Sequence, residues 1–287
     1  MRANEDDVRA SAQAADRALF GLELVEPAGG AGDLEASFTL TGALARHDGR
    51  LYGGTAIGIA TALAEAATDR PARWVTVQYI DGSTTIGDQL TCRVEVLAGG
   101  RRTSQVRVRA HRGDDEIFCG LASVAEPKVD SIVGTFVEMP DVAPPEESLP
   151  YDPPLSRQLR ESAKAKGIFE RTMEHRAAHA PGEPPRTFGP IGFWSRVPGR
   201  IASPTVIAYL ADMVPMMIVH AAGRAGAGTS LDNTMRFGEP ADDEWVLLHV
   251  LPEQAVAGFG HGSVHVWSRD GRLLGTGSQT SSLMLFD

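Results

Sequence analysis

The segment Pro204-Thr-Val-Ile-Ala-Tyr-Leu-Ala-Asp-Met-Val-Pro-Met-Met-Ile-Val-His220 is an apolar run with one carboxylate, Asp212, in its middle. A helix that is apolar on all sides is a buried helix. The run is shorter than the roughly 18 residues of a membrane span and has a charge at its centre, so we expect a core helix. A buried carboxylate must be hydrogen-bonded or shift its pKa, because desolvation of a charge is costly. Asp212 therefore either satisfies a structural partner or takes part in chemistry.

The composition indicates a soluble globular protein. The chain has 287 residues, 43% of them hydrophobic and 22% charged, which is enough for one large domain or two ordinary ones. Its formal charge of −10 argues against a nucleic-acid partner, which would favour a basic surface. The acidic start, Met1–Asp7, is neither a secretory signal nor a transit peptide. Two cysteines, Cys92 and Cys119, make no disulfide framework, so we expect a cytoplasmic protein.

The predicted elements follow the same order in the two halves of the chain. In the first half, two strands precede a helix of small and apolar residues, and four strands follow. Their predicted bounds are Leu19–Val25, Leu34–Leu40, Thr55–Ala67 (the helix), Trp74–Ile80, Leu90–Leu97, Thr103–His111 and Ile117–Val124. The second half has strands Phe169–Arg176 and Phe188–Val197, the opening apolar helix, and strands Thr229–Phe237, Trp245–Leu251, Gly258–Ser268 and Leu273–Leu285. A helix followed by antiparallel strands predicts the α+β class.

The two halves also match at the level of residues. Val106-Arg-Val108 followed by Arg112-Gly113 corresponds to Val264-His-Val266 followed by Asp270-Gly271, and Ile117-Phe118 corresponds to Leu273-Leu274 if the turn is shortened by two residues. A repeat this long indicates two copies of one domain. Residues Glu126–Pro154 are rich in proline and acids, as is typical of a linker. We predict domains at 1–126 and 169–287, joined by a linker at 127–168 with a short helix near Leu155–Lys166.

Several motifs together resemble a known family. Leu51-Tyr-Gly-Gly54 before a small-residue helix, Trp74-Val-Thr-Val-Gln-Tyr79 and Gly100-Arg-Arg-Thr-Ser-Gln-Val-Arg-Val108 resemble a hot-dog domain. With the duplication, the segments Ala208–Asp212, Ser230–Phe237 and Ser278-Gln279 resemble the acyl-CoA thioesterase II family of double hot-dog proteins, over roughly residues 17–125 and 169–287.

That resemblance implies fold, activity and partners. The fold would be a double hot-dog, with two tandem domains that each have a central helix wrapped by an antiparallel sheet. The activity would be hydrolysis of acyl-CoA to free fatty acid and coenzyme A, with no cofactor, because coenzyme A is part of the substrate. Association of the sheets into a homodimer or a higher homo-oligomer is also implied, and neither membrane insertion nor nucleic-acid binding is expected.

The family's hydrolytic site combines an Asp on the second hot-dog helix, a Thr or Ser at the start of the next strand and a Gln on the last strand. By resemblance these positions fall on Asp212, Ser230 and Gln279. The chain departs from the family at Asn233, where His is frequent, and at Thr280-Ser281, where Glu-Gly is common. These departures concern substrate preference and rate more than reaction class.

Thioester hydrolysis requires an activated water, groups that hold it and donors for the developing oxyanion. A carboxylate such as Asp212 can accept the water's proton, and a Ser hydroxyl and a Gln amide can hold the water. Gly53 and Gly54 open the first helix, so their unpaired N–H groups are candidates for oxyanion and substrate binding. Asp232 competes as the base, because two residues of separation from Ser230 place both on one face of a strand.

Only the second copy has the polar set. The positions that match Asp212 and Gln279 in the first copy fall on or near Ala62 and on Ser123. We therefore predict one chemically complete site per chain.

Other functions are less well supported by the sequence. A catalytically silent acyl-CoA-binding protein on the same fold stays open because of Asn233 and Thr280. A hot-dog enoyl-CoA hydratase is expected to need Asp and His five residues apart, and no Asp here has such a His.

The His175/His179 and His261/His265 pairs lack the Glu of a helical zinc-protease motif, so we expect no metal site. A serine hydrolase is disfavoured because no Gly-x-Ser-x-Gly elbow occurs. The four basic residues Arg70, Arg73, Arg101 and Arg102 could meet coenzyme A phosphates, although a solvated surface is the simpler interpretation.

Overall fold

One antiparallel sheet runs through both halves of the chain. The computed structural model describes residues 2–25, 33–128, 131–151, 169–185, 191–224, 226–238 and 242–285, and twelve strands within these ranges form the sheet. The helices are α1 Arg2–Leu19, α2 Gly53–Thr68, α3 Pro204–Leu210 and α4 Val214–Ala221. The strands are β1 Glu23–Val25, β2 Leu34–Thr39, β3 Ala72–Tyr79, β4 Gln89–Gly99, β5 Thr103–Arg112, β6 Asp115–Ala125, β7 Glu174–Ala177, β8 Gly192–Arg196, β9 Gly226–Phe237, β10 Val246–Val256, β11 Phe259–Ser268 and β12 Leu273–Leu285.

The strand order shows the duplication directly. It reads β1-β2-β4-β5-β6-β3 in one half and, in reverse, β9-β12-β11-β10-β8-β7 in the other. The halves meet where β3 pairs with β9, and at that seam the hydroxyl oxygens of Thr76 and Thr234 lie 2.7 Å apart. The predicted α+β double hot-dog architecture is confirmed.

The first core helix, α2, is buried along nearly its whole length, as its small residues predict. Close packing requires those small residues: a Cβ on Gly58 would lie 2.6 Å from the ring of Phe20. The helix ends at Asp69, which adopts a left-handed conformation with φ of 53° and donates its N–H to the Glu65 carbonyl. The sheet wraps the helix, and α3 packs against it across the seam.

The second core helix is not continuous, so the expectation of a single helix was wrong. Helix α3 stops at Leu210, residues 211–213 form a turn, and α4 begins at Val214 with Pro215 in its first turn. Proline has no N–H and clashes with the preceding turn, so it is tolerated at a helix start but not within a helix. Residues Pro204–Ala221 are long and apolar enough to cross a membrane, but 78% of them are buried in the fold, as in a core helix of a soluble protein.

The opening strands of both halves also begin later than the sequence predicts. The first strand begins at Glu23 because Leu19 still belongs to α1. In the second half, Phe169–Thr172 forms a short 3-10 turn, and the strand is confined to Glu174–Ala177. The expected helix at 155–166 lies outside the described residues, and the domain limits stay predictions.

Part of the predicted linker covers the sheet. The outer face of the second half carries an apolar cluster around Trp194, Trp245 and Trp267, and Met139 and Val142 pack against it. The indole N–H of Trp194 donates to the Ala143 carbonyl at 2.9 Å. This part of the proline-rich segment is therefore an irregular chain that covers the outer face of the sheet.

Candidate active site

Asp212 lies in the turn that separates α3 from α4, and only 7% of the residue is exposed. A helix break leaves carbonyl groups without partners within the helix. The hydroxyl of Tyr52, which precedes α2 in the first half, lies 3.4 Å from the Tyr209 carbonyl and 3.3 Å from the Asp212 carbonyl, and the two carbonyls share its one hydrogen. The rings of Tyr52 and Tyr209 also pack edge to face, with centroids 5.7 Å apart. The break that presents Asp212 is thus stabilised by the other half of the molecule.

Three donors from neighbouring strands converge on one oxygen of Asp212. Its Oδ1 accepts hydrogen bonds from Asn233 Nδ2 at 3.1 Å, from Ser230 Oγ at 3.5 Å and from Gln279 Nε2. The Gln279 amide also donates to Ser230 Oγ at 2.7 Å. The structure therefore brings together Asp212, Ser230 and Gln279, the three residues expected from the resemblance.

The two amide donors are placed by the sheet. Asn233 on β9 and Gln279 on β12 are direct cross-strand partners, and each is 2% exposed. Residues paired in this way on one face of a sheet have adjacent side chains. Both side chains point to the helix layer, so the strands act as a rigid floor beneath the Asp212 carboxylate.

The N-terminus of α2 faces the same carboxylate. The Gly54 N–H donates to Asp212, and a Cβ on Gly53 would lie 2.5 Å from Asp212 Oδ2. A Cβ on Gly54 would lie 2.3 Å from the Tyr209 carbonyl oxygen. Only glycine permits this approach, and the first N–H groups of a helix have no partner in a preceding turn. The predicted Gly53-Gly54 motif is therefore located at the site.

Burial raises the pKa of Asp212 from its ordinary value of 3.8 to about 6. Hydrogen bonds from Gln279, the Gly54 N–H and Asn233, and the charge of Arg46, act in the opposite direction. The carboxylate is thus ionised at neutral pH and more basic than an exposed one. A base with a pKa near the working pH is suited to general base catalysis.

Asp232 does not reach the site, so the expectation that it shares a face with Ser230 was wrong. A β-bulge interrupts the alternation: Thr280 pairs with Asp232, whereas the next residue, Ser281, pairs with Ser230. Leu231 is the extra residue, and a bulge of this kind reverses the side-chain alternation beyond it. The Asp232 carboxylate instead accepts the Thr280 N–H at 3.0 Å. Asn233 takes the inward position beside Ser230.

Sequence reasoning missed the roles of Asn233, Tyr79 and Tyr52. Asn233 was visible only as a departure from the resembled family, and its contact with Asp212 depends on the bulge. Tyr79 ends β3, and its hydroxyl donates to the Gly53 carbonyl at 2.9 Å. Both tyrosines belong to motifs that carry the resemblance, but those motifs do not predict the contacts of Tyr52 with Asp212 and of Tyr79 with Asn233, which lie in the other half of the chain.

The equivalent positions in the first copy are apolar. Strand pairing aligns Val264–Gly277 with Val106–Ala122, so Gln279 corresponds to Val124 and not to Ser123. Ser123 lies on the outer face, where its hydroxyl donates to Gln105 at 2.7 Å. The counterpart of the Asn233–Gln279 pair is then Ala72–Val124, which is buried. In the described parts of the chain the polar set is present once.

The four arginines suggested by the sequence lie away from the site. Arg70 donates to the Gly100 carbonyl and to Ser104, and Arg73 to the Ala125 carbonyl. These contacts are at the C-terminal end of α2, which has 16 residues and is therefore about 24 Å long at about 1.5 Å per residue. Arg46 and Arg50, which precede α2 and pair with Asp48, lie instead at the end of the helix that faces Asp212.

Comparison with protein families matches both halves of the chain. The model described as the acyl-CoA thioesterase N-terminal domain matches residues 43–125, and the model described as the acyl-CoA thioesterase C-terminal domain matches residues 143–283. Comparison with curated protein sequences gave no significant match.

Solved structures share the fold over nearly the whole chain. A candidate thioesterase from Novosphingobium aromaticivorans is 25% identical, covers 90% of this chain and 97% of its own, and has a TM-score of 0.74. An acyl-CoA thioesterase II from Mycobacterium marinum is 17% identical over 95% of this chain and 99% of its own, with a TM-score of 0.68. A hot-dog protein of unknown function from Alicyclobacillus acidocaldarius is 15% identical over 95% and 98%, with a TM-score of 0.75.

Proposed function

The chain belongs to the acyl-CoA thioesterase family, and from that premise we propose that it hydrolyses acyl-CoA to a free fatty acid and coenzyme A. The observation that carries the proposal is the convergence of Asp212, Ser230 and Gln279 at the N-terminus of α2. A buried carboxylate with a raised pKa beside two water-holding groups and helix N–H donors has the parts that thioester hydrolysis requires.

In the proposed reaction, Ser230 and Gln279 hold a water molecule and Asp212 accepts its proton. The water oxygen forms a bond to the thioester carbon, and the Gly53 N–H stabilises the negative charge on the carbonyl oxygen, because the Gly54 N–H is already bonded to Asp212. The carbon–sulfur bond then breaks, the thiolate of coenzyme A takes the proton from Asp212, and the acid leaves. No residue becomes covalently attached to the acyl group and no cofactor takes part.

Assembly and location extend the same proposal. Association of the sheets into a homodimer or a higher oligomer agrees with the resemblance, and a location in the cytoplasm agrees with the two free cysteines. Light scattering of the purified protein measures the mass of the assembly directly.

The test is release of free thiol from short, medium and long acyl-CoAs by the wild type, Asp212→Asn and Asp232→Asn. Loss of a general base costs on the order of 10²–10⁴-fold in kcat, so Asp212→Asn should lose that activity. Asp232→Asn makes the same chemical change two residues from Ser230 but outside the site, and should retain turnover. Equal rates in the wild type and Asp212→Asn would remove Asp212 as the base. Binding of acyl-CoA without turnover by the wild type would establish the silent binding protein instead.

A further inference from the structure

Two side chains outside the Asp212–Ser230–Gln279 set link the two halves of the site. The Tyr79 hydroxyl donates to the Gly53 carbonyl at 2.9 Å, and Tyr79 lies next to Asn233 across the seam, two residues beyond Val77, the residue that pairs with Asn233. Asn233 in turn donates to Asp212 Oδ1 at 3.1 Å. Tyr79 and Asn233 therefore form a path of neighbouring side chains from the first turn of α2 to the carboxylate.

The donor count along this path is complete. A side-chain amide nitrogen has two hydrogens, and a phenol can donate one hydrogen while its oxygen accepts another. Asn233 Nδ2 can therefore bond Asp212 and Tyr79 together, while the Tyr79 hydrogen goes to Gly53. Asn233 is almost fully buried, so each of these bonds forms where water competes little.

The path crosses the seam at the point where the two strands separate. The register of β3 and β9 ends at Gln78 and Asp232, next to the bulge at Leu231. Beyond that pair the strands no longer hold each other by backbone bonds, and the Tyr79 side chain follows directly. The link between α2 and the second half at this point is made by side chains.

We propose that Tyr79 and Asn233 are positioning residues that together fix the N-terminal turn of α2 against the carboxylate of Asp212. Asn233, Ser230 and Gln279 occupy Oδ1, which leaves Oδ2 directed at Gly53. Tyr79 holds the same glycine through its carbonyl. The pair thereby sets the separation between the general base and Gly53, the oxyanion donor, and this role rests on the proposed thioesterase activity.

The experiment is a double-mutant cycle in steady-state kinetics with Tyr79→Phe, Asn233→Ala and the double variant. Tyr79→Phe removes one hydroxyl and Asn233→Ala removes the amide. Misplacement of reacting groups by about 1 Å costs up to about 100-fold, so each single variant should lower kcat by about 10-fold to 100-fold with little change in KM. The double variant should be no slower than the slower single variant, since either change breaks the same path.

Matched controls separate positioning from general loss of a polar group. Thr234→Val removes the hydroxyl next to Asn233 on the opposite face of β9, and Tyr151→Phe removes a partly buried phenol that contacts Met216. Both controls should retain the wild-type kcat.

Two results would overturn the proposal: additive losses of kcat in the double variant, or losses confined to KM. If the wild type itself turns over no acyl-CoA, the proposed function has failed separately. The same cycle is then measured in the free energy of unfolding, where additive effects would show that Tyr79 and Asn233 are not coupled.

Discussion

Asp212→Asn is expected to stabilise the folded protein at neutral pH although it removes the proposed base. Burial raises the pKa of Asp212 from 3.8 to about 6, so the folded protein binds this proton more tightly than the unfolded chain does. Stability therefore falls as pH rises through the window from about 4 to about 6, and the full cost is present above it. Asparagine carries no charge and has no such cost.

The magnitude follows from the shift and from the contacts. A shift of about 2 pKa units corresponds to about 3 kcal/mol at pH 7.5, at about 1.4 kcal/mol per unit. The asparagine oxygen can accept the three bonds now made to Oδ1, but its NH2 group then faces the Gly54 N–H. Two opposed donors cost about 1–2 kcal/mol. We expect a net gain of about 1–2 kcal/mol, which is a rise in Tm of about 2–3 °C for a chain of 287 residues.

The assay is thermal unfolding of the wild type and the variant between pH 4 and pH 8. Other groups titrate in both proteins, so the difference in Tm isolates Asp212. The variant should be more stable at pH 7.5, lose its advantage between about pH 6 and pH 4, and be the less stable protein at pH 4, where only the opposed donors remain. A difference that does not change with pH, or a variant destabilised at pH 7.5, would refute the argument. Asp16→Asn is the control that separates loss of a buried charge from loss of activity. The pKa of the Asp16 carboxyl is also raised to about 6 by burial. Asp16 lies on α1, outside the site, so its replacement should leave turnover intact.

Two further predictions concern turnover. The pH profile of kcat/KM should fall on the acid side with a midpoint near 6, the pKa to which burial raises Asp212, and a midpoint near 4 would show that an ordinary exposed carboxylate is the base. Gly53→Ala should lower kcat by on the order of 100-fold, because its Cβ would lie 2.5 Å from Asp212 Oδ2. Gly99→Ala, whose Cβ would meet nothing within 4 Å, should be neutral in the same thiol-release assay, and equal rates in both variants would contradict the close approach.

Much of the fold follows from periodicity in the sequence. The strands β4, β5 and β6 alternate between buried and exposed residues along most of their length, and α2 consists of small residues that a wrapping sheet requires. The duplication is visible because both copies repeat the same order of elements. Local patterns of this kind are sufficient to predict the strands and helices, because each element buries one face against its neighbours.

The details of the site depend on features that local patterns do not reveal. Because of the bulge at Leu231, Asn233 and not Asp232 lies on the inner face of the strand, and no residue of that strand predicts a bulge. Pro215 in the sequence indicates that a new helix begins close to Asp212, but the pattern of apolar residues alone predicts one continuous helix. Tyr52 and Tyr79 contact Asp212 and Asn233 in the opposite half of the chain, so these contacts depend on how the halves pair and cannot be read from nearby residues.

The asymmetry between the two copies explains why the site is assembled across the seam. Asp212, Ser230, Asn233 and Gln279 come from the second copy, whereas the glycine turn, Tyr52 and Tyr79 come from the first. In the first copy the floor pair is Ala72–Val124, and α2 continues unbroken through Ala62, so that position presents no carboxylate at a helix break. A buried polar set is stable only when every member has a partner, and a partly satisfied set is worse than an apolar core. Duplication therefore allows one copy to keep an apolar core and provide the helix N-terminus, while the other holds a buried carboxylate that destabilises the fold at neutral pH.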